Sequence, residues 1–322
     1  MFKYISSLLL GLLLPLFSIG QHMQVAVASR PVPKALQGLE VSATGKILFT
    51  KQGMTYVLNA KMDTVFKDIG IKAKFIGTSD EFATLITVGN RSLLSIYNAS
   101  NVKKDSILAD VAILDYAFRP DGKKIYLVTK SSQLVIIDLK TRQLSGGNTA
   151  VPPMNITGVG YLEDNKILIG ANIQGAIVDT TGATVSYYQT PNISVVRTSP
   201  TGKDYAVLHL GSDFSSMSWF NAGKEIKCKH QYSNQYPYYE IVMGQLDTVQ
   251  TSASMVQSFD IGHDGLNLIT TDQSGRLLLW DTHGHVKKQI ELGSYNTIAR
   301  FYATNKIIYY HTTQNKLVVV EY

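Results

Sequence analysis

From about residue 36 onwards the chain alternates short apolar runs with polar turns. Several runs, such as "LVII" at 134–137 and "LLLW" at 277–280, are apolar at consecutive positions and do not follow a helical spacing. Short apolar runs bounded by turn residues are typical of strands that are covered on both faces. The pattern therefore predicts an all-β protein in which sheets pack against one another.

The apolar runs recur with a fixed period. Each of seven runs is followed by an Asn, Asp or Glu, and these residues are Asn59, Asn98, Asp138, Asp179, Asn221, Asp281 and Glu321. Successive intervals are 39, 40, 41, 42, 60 and 40 residues. A unit of about 40 residues is typical of four-stranded propeller blades, and the long interval is one unit plus roughly twenty residues.

A second marker keeps the same period. A Gly or Asn turn precedes most of the runs, at Gly45, Gly122, Asn165, Gly202, Gly265 and Asn305, and "TSDEFATLI" around Asp80 is the degenerate member. Such turns between β-branched runs are strong hairpin signals. Two markers with one period predict a seven-bladed β-propeller.

The two ends of the chain predict how the ring closes. The last unit stops at Tyr322, directly after its third strand, while "MQVAVAS" at 23–29 is a strand with no unit of its own. We expect this N-terminal strand to pair with Leu317–Glu321 and to complete the last blade. A closed ring removes the exposed sheet edges that invite aggregation.

Residues 1–20 have the pattern of a secretory signal peptide. Lys3 precedes an apolar run from Leu8 to Phe17, and small residues end at Gly20, where cleavage is expected. The run is too short for a stable membrane span. The sequence therefore predicts a propeller domain over 21–322 that is exported, either to the periplasm of a bacterium or out of the cell, with no membrane span in the mature chain.

Composition narrows the classes of partner. The net charge of +6 is scattered along the chain, and no dense basic tract with interleaved aromatic residues indicates nucleic acid binding. The single cysteine, Cys228, excludes an intramolecular disulfide, and its alternation with Lys227 and Lys229 favours a buried thiol on an edge strand. We expect a monomer.

Two units, "PDGKKIYLVTKSSQLVIIDLKTRQL" (120–144) and "HDGLNLITTDQSGRLLLWD" (263–281), resemble WD40 repeats. The resemblance covers nearly all of the mature chain, although the family's Asp six positions before the Trp is Ser274 here and Ser131 in the other unit. It implies an interaction platform, because WD40-like propellers mostly bind other proteins. The architecture also hosts lactonases, cyclotransferases and quinoproteins, so fold alone does not settle function.

His283 and His285 are the most obvious candidates for metal ligands. They directly follow the strand that ends in Trp280-Asp281, where other units carry turns such as "TTGAT" and "NAGKE". A zinc site needs three or four ligands. We therefore interpret the two histidines as part of a turn and assign no metal site, no cofactor and no catalytic residue.

Charged residues recur on the innermost strands. Five positions before the turn residue, four consecutive blades carry Arg197, Asp260, Arg300 and, across the closure, Glu40; Asp115 is a further candidate for the axial channel. An unpaired charge between blades is costly, whereas neighbours of opposite sign satisfy each other. The pattern is interpreted as a structural ion-pair belt, with a ligand site in the axial channel as the alternative.

The insertion at 230–255, between the fifth and sixth units, is rich in tyrosine. It contains Tyr232, Tyr236, Tyr238 and Tyr239 around Pro237. Tyrosine offers a large contact area with a polar tip, which suits a partner-binding surface. The alternative is that these rings pack the loop onto its own blade.

These observations predict an exported, non-catalytic binding or scaffold protein. It presents its faces and the Tyr-rich loop to a protein or cell-envelope partner. The alternative is an enzyme with an axial active site, such as a lactonase-type hydrolase with or without a metal. A cluster of three or more carboxylate, Asn or His groups around one ordered metal on the axis favours the enzyme, whereas a channel mouth without such a cluster, beside an exposed tyrosine patch, favours binding.

Overall fold

The computed structural model describes residues 28–31, 36–150, 156–172, 175–187, 193–210, 215–221, 224–227, 237–242, 245–250, 256–273 and 275–322. The predicted signal peptide and Cys228 lie outside these residues. Within them, no helix has the length and the apolar character needed to cross a membrane.

Seven four-stranded antiparallel sheets form the blades. Blade 1 contains β2 (Leu36–Val41), β3 (Ile47–Lys51), β4 (Met54–Leu58) and β5 (Thr64–Ile69); blade 2 contains β6 (Lys72–Phe75), β7 (Phe82–Val88), β8 (Arg91–Tyr97) and β9 (Lys103–Ala109). Blade 3 contains β10 (Ile113–Phe118), β11 (Lys124–Thr129), β12 (Gln133–Asp138) and β13 (Leu144–Ala150); blade 4 contains β14 (Ile156–Leu162), β15 (Lys166–Ala171), β16 (Ala176–Asp179) and β17 (Thr184–Tyr187).

The remaining blades follow the same order. Blade 5 contains β18 (Ile193–Thr198), β19 (Tyr205–Leu210), β20 (Ser215–Asn221) and β21 (Lys224–Lys227); blade 6 contains β24 (Val256–Ile261), β25 (Leu268–Asp272), β26 (Arg276–Trp280) and β27 (Val286–Glu291). Blade 7 contains β28 (Ala299–Ala303), β29 (Lys306–His311), β30 (Lys316–Glu321) and β1 (Ala28–Pro31). We call the four strands of a blade A to D.

The ring closes through the N-terminus, as the sequence predicts. β1 is the D strand of blade 7 and pairs antiparallel with β30, with Ala28 opposite Val319 and Pro31 opposite Lys316. The predicted strand at 23–29 overlaps β1 at Ala28 and Ser29, and its first five residues lie outside the described residues. The described residues confirm the predicted pairing with β30, with Ser29 opposite Val318 and Arg30 opposite Leu317.

The core of the protein lies between blades. Seven clusters of buried apolar side chains are present in the described residues, one at each of the seven junctions between adjacent blades. For example, Leu48 and Val57 of blade 1 pack with Phe82 and Tyr97 of blade 2. Burying one such side chain contributes about 1.5–3 kcal/mol. Because both faces of each blade are covered, consecutive apolar residues are tolerated along the strands.

The acidic or amide residue that ends strand C stabilises the turn that follows. Its side-chain oxygen accepts hydrogen bonds from two backbone N–H groups two to four residues later at Asn59, Asn98, Asp138, Asp179 and Asp281. Asn and Asp favour turns for this reason. Glu321 has a longer side chain and instead forms an ion pair with Lys306.

The Gly or Asn residue recurs in the A–B turn because the backbone there adopts a positive φ. Each of the six turn residues between strands A and B has a positive φ, from 57° to 84°, at Gly45, Gly122, Asn165, Gly202, Gly265 and Asn305. Gly and Asn adopt this conformation at little cost. In blade 2 the residue with positive φ is Gly77, two positions before Ser79, which donates the turn's hydrogen bond.

The two ends of the propeller carry different connections. The A–B and C–D turns lie at one end, called the A–B end, and the B–C turns and the connections between blades lie at the other, called the D–A end. The insertion follows β21 and precedes β24, so it is attached at the D–A end. It contains a separate two-stranded sheet, β22 (Pro237–Val242) paired with β23 (Gln245–Gln250).

Candidate functional site

Equivalent positions on the seven A strands face the axis of the ring. The A strands of neighbouring blades contact one another, which makes them the innermost strands. Pairing with strand B defines one shared position, occupied by Glu40, Lys74, Ala117, Gly160, Arg197, Asp260 and Arg300. Five of these seven residues are charged, and all five carry their charge into the centre of the protein.

Arg197 joins two carboxylates from other blades. Its Nη1 and Nη2 atoms donate to Glu40 Oε2 and Oε1 at 3.2 and 2.9 Å, in a bidentate arrangement. Its Nη1 also lies 3.6 Å from Asp260 Oδ1. Blades 5 and 1 are not neighbours, so the Arg197–Glu40 pair spans the axis. Bidentate pairs of this kind are stronger and more directional than single ionic contacts.

Arg300 is anchored mainly by neutral acceptors. Its Nε donates to the carbonyl oxygen of Leu39 at 2.7 Å, and its Nη1 donates to Ser258 Oγ at 2.8 Å and to the carbonyl oxygen of Phe259 at 3.3 Å. These bonds connect blades 7, 1 and 6. The guanidinium therefore ties the A strands of three blades together.

A second ion-pair group lies on blades 2 and 3. Lys74 Nζ lies 2.9 Å from Asp115 Oδ1 and donates to the carbonyl oxygen of Tyr116 at 2.7 Å, while Lys72 Nζ lies 3.6 Å from the same carboxylate. Asp115 Oδ2 also accepts the backbone N–H of Val159 in blade 4 at 3.1 Å. One carboxylate thus connects three consecutive blades.

Neighbouring positive charges lower the pKa values of two of these carboxyl groups. Burial opposes the ionisation of Glu40, yet the charges of Arg197 and Arg300 hold its pKa below the ordinary value. Burial likewise opposes ionisation of Asp115, and the Lys74 and Lys72 charges lower the pKa of that carboxyl. Both carboxylates are therefore charged at neutral pH.

Asp260 and Arg300 are shifted towards their neutral forms. Burial raises the pKa of Asp260 above its ordinary value despite the charges of Arg300 and Arg197. Burial, assisted by the charge of Arg197, lowers the pKa of Arg300 to about 10. Arg300 remains charged at neutral pH, and the desolvation of these two groups is incompletely compensated.

Blade 4 has no side chain at this position because there is no space for one. A Cβ at Gly160 would lie 2.5 Å from Cγ2 of Thr198 in blade 5. Blades 4 and 5 therefore approach each other closely at the axis.

The structure brings all five predicted axial residues into the interior, where Arg197 contacts both Glu40 and Asp260. The sequence pattern predicted that charges of opposite sign pair between adjacent blades. Instead, Arg197 and Glu40, which lie in blades 5 and 1, form the closer contact of Arg197 across the ring. Sequence reasoning missed Lys72 and Lys74. Lys74 lies five positions before Ser79, and the departure of the blade 2 turn from the Gly or Asn rule concealed this spacing.

Of the other sequence candidates, the two histidines lie on a turn of blade 6, and two of the four tyrosines lie on β22. His283 and His285 are on the C–D turn of blade 6, with side chains 78% and 79% exposed, and their backbone N–H groups donate to Asp281. Tyr238 and Tyr239 are adjacent positions of β22, opposite Val249 and Thr248, whereas Tyr232 and Tyr236 lie outside the described residues. In the described part of the chain, no group of three or more His, Cys, Asp and Glu side chains is arranged to hold a metal ion.

The D–A end carries exposed apolar side chains. They are Ile69, Ile71, Val88, Val111, Tyr187 and Tyr295. The same end contains a cleft of about 430 Å³ between blades 7 and 1, lined in part by Leu36, Ile298 and Asn315. Exposed apolar groups that share one end of a scaffold are candidates for an interaction surface.

No family model matches the chain, and no curated protein matches its sequence. Among solved structures, the chain is similar to the β-propeller domain of Cps50 (Swd1) from Myceliophteria thermophila, with a TM-score of 0.67 and 10% sequence identity. The match covers 92% of this chain and 99% of that domain. At this identity the likeness concerns the fold, a seven-bladed β-propeller resembling a WD40 propeller domain. Propellers of this kind often serve as protein-binding scaffolds.

Proposed function

We propose that the chain is an exported, non-catalytic binding module whose D–A end, including the Tyr-rich insertion, contacts a protein or cell-envelope partner. The observation that carries this proposal is the mutual pairing of the axial charges. Arg197 forms a bidentate pair with Glu40 and contacts Asp260, and Lys74 forms an ion pair with Asp115. Groups that are held by one another across the axis act as connections between blades.

The position of the insertion favours the D–A end as the binding surface. It extends one connection at the D–A end, where the exposed apolar side chains also lie. An isolated two-stranded hairpin is at best marginally stable in water. A hairpin of this kind gains stability when it packs on a partner, and loops on a rigid scaffold commonly carry binding function.

An axial hydrolase is the second candidate, and the raised pKa of Asp260 is the observation that favours it. Perturbed carboxyl groups occur often at catalytic sites. However, Asp260 Oδ2 accepts the backbone N–H of Phe301 at 3.0 Å, and this bond gives the same carboxylate a structural role. Assays with a panel of lactones, comparing the parent chain with Asp260→Asn, separate the two roles.

Export of the mature chain is part of the proposal. It rests on the charged, apolar and small-residue regions of residues 1–20. Expression of the full sequence in a bacterial host, followed by intact-mass measurement of the periplasmic fraction, should give a chain beginning at Gln21. A full-length chain retained in the cytoplasm contradicts this part.

A quantitative pull-down tests the binding function. Residues 21–322 are compared with a variant lacking 232–250, with bound proteins identified by mass spectrometry. A second pair of variants replaces Tyr232, Tyr236, Tyr238 and Tyr239 by Ser or by Phe. We expect partners to be lost with the deletion and with Ser, and to be partly retained with Phe, which keeps the ring area. Equal recovery by all four proteins contradicts the role of the insertion.

A further inference from the structure

At the D–A end of blade 2, exposed aliphatic side chains lie next to exposed basic residues in the chain and in the strand pairing. We propose that this surface, which we call the blade 2 patch and define as Ile71, Val88, Val111, Arg91 and Lys130, binds an acidic protein segment with aliphatic or aromatic anchors. The inference rests on the proposed function, and it specifies where on the D–A end the partner docks and what chemistry the partner has.

Three aliphatic side chains of the patch are left open to solvent. Ile71, Val88 and Val111 are 41%, 75% and 38% exposed. Ile71 precedes strand A of blade 2, Val88 ends strand B, and Val111 precedes strand A of blade 3. Aliphatic side chains exposed together provide the anchor sites on which interfaces depend.

Backbone pairing and one ion pair place these three residues at the same end of neighbouring elements. The N–H of Ile71 donates to the carbonyl oxygen of Leu85, three residues before Val88 on the same strand. Val88 pairs with Arg91 in the register of β7 and β8. Arg91 in turn forms an ion pair with Asp110, the residue before Val111, at 3.1 Å. Val88 therefore lies at the B–C turn of blade 2, and Ile71 and Val111 lie in the connections that lead into blades 2 and 3.

The base of the patch is rigid. Thr87 Oγ1 and Ser92 Oγ lie 3.0 Å apart, Thr87 Oγ1 donates to the carbonyl oxygen of Ile113 at 3.2 Å, and the N–H of Ile113 donates to Ser92 Oγ at 2.8 Å. The network joins the tip of blade 2 to blade 3. A surface whose backbone is already fixed loses little entropy when a partner binds.

The basic residues around the blade 2 patch favour a partner segment that is negatively charged. Arg91 is exposed, and Lys130 is exposed beside Ala112, whose carbonyl oxygen accepts the Lys130 N–H. Lys72, 41% exposed in its side chain, lies at the inner margin. Asp110 is the acidic residue of this margin, and its pair with Arg91 is solvent-exposed on both sides and therefore weak. Complementary charge favours a segment rich in Asp and Glu.

A random peptide selection tests the proposal. A library of 16-residue peptides displayed on phage is selected on the mature chain at low salt, and enriched peptides are synthesised with a fluorescent label. We expect enrichment of Asp and Glu together with Leu, Ile, Phe or Tyr, and binding that weakens as salt is added.

Substitutions then locate the binding site. Val88→Asp should weaken binding of the enriched peptides at least ten-fold, since it places a like charge in the apolar centre. Arg91→Glu should weaken it about three- to ten-fold. The matched control is Leu266→Asp, which alters an exposed aliphatic residue at the A–B end and should leave binding unchanged.

The outcomes separate this inference from the proposed function. Enriched peptides that lack acidic residues, or that bind Val88→Asp as tightly as the parent, overturn the inference and leave a binding module that uses another surface. Peptides that bind only when Glu40 and Asp260 are intact overturn it in favour of the axis. Failure to enrich any peptide, together with a pull-down that recovers no partner, counts against both.

Discussion

Replacing Arg197 by Met tests whether the axial charges hold the ring together. Methionine has a similar length and packs as an apolar side chain, but it leaves Glu40 and Asp260 without their shared guanidinium. The two carboxylates belong to blades 1 and 6, so their repulsion acts across the interior. The variant should fold into the same ring with lower stability.

The expected loss of stability depends on how far the three charged side chains are buried. Removing one partner of a fully buried ion pair costs about 3–5 kcal/mol. The side chains of Arg197, Glu40 and Asp260 remain between 17% and 27% exposed, so solvent reduces the penalty. We expect Arg197→Met to lower the free energy of unfolding by about 2 kcal/mol. Because the folded pKa of Glu40 is lowered, its stabilising contribution is complete above its unfolded pKa and is lost as the pH falls through the folded pKa.

The assay is urea unfolding, monitored by the fluorescence of Trp219 and Trp280, which are both buried. The matched control is Arg91→Met, which removes an ion pair whose side chains are 75% and 81% exposed and should change stability by less than about 0.5 kcal/mol. The difference between parent and Arg197→Met should shrink below about pH 4, as the carboxylates become protonated in both proteins. Equal effects of the two substitutions at pH 7 would refute the reasoning.

Three further predictions concern single positions. Asp260→Asn should lower the free energy of unfolding at pH 7 by about 1 kcal/mol less than Glu40→Gln does, because the folded pKa of Asp260 is raised and its ionised form is disfavoured by burial. Urea unfolding from pH 7 down to about pH 3 should show this gap narrowing, since the contribution of Glu40 is lost below its unfolded pKa. Gly160→Ala should destabilise the protein by about 1–3 kcal/mol, because the added methyl group has no space against a stiff β-branched neighbour in blade 5, and the thermal midpoint measures it. Asp281→Ala should cost about 1 kcal/mol by leaving two turn N–H groups without their acceptor, as measured by chemical unfolding.

The fold follows from local signals that repeat. Asp138 and Asp179 mark the ends of strands because their side chains fix the next turn, and Gly122 marks a hairpin because its φ is positive. Each signal is short-range, so seven copies with one period define the architecture. The closing strand was predicted from the missing outer strand of the last unit, and no turn residue fixes its register. In the described residues it runs from Ala28 to Pro31 and pairs with β30.

The candidate site was only partly predictable. Counting back from the turn found Glu40, Arg197, Asp260 and Arg300, because pairing with strand B gives every blade the same register there. The same count missed Lys74, since the blade 2 turn places its positive φ at Gly77. Which charges meet depends on how side chains cross the axis, and sequence spacing carries no information on that.

The blade 2 patch was not predictable from spacing at all. Val88 and Val111 belong to apolar runs that resemble buried strands, and only the three-dimensional arrangement leaves their side chains at the D–A end in solvent. An exposed aliphatic residue and a buried one look alike in a sequence.

The most direct test of the central claim is a quantitative pull-down with three forms of the mature chain: the parent, the variant lacking 232–250, and Glu40→Gln. Circular dichroism first establishes that all three are folded. If partners bind at the D–A end and the axial charges are structural, the deletion loses the partners and Glu40→Gln recovers them at the level of the parent. Loss of the partners with Glu40→Gln, together with their full recovery by the deletion variant, would contradict the account and place binding at the axis.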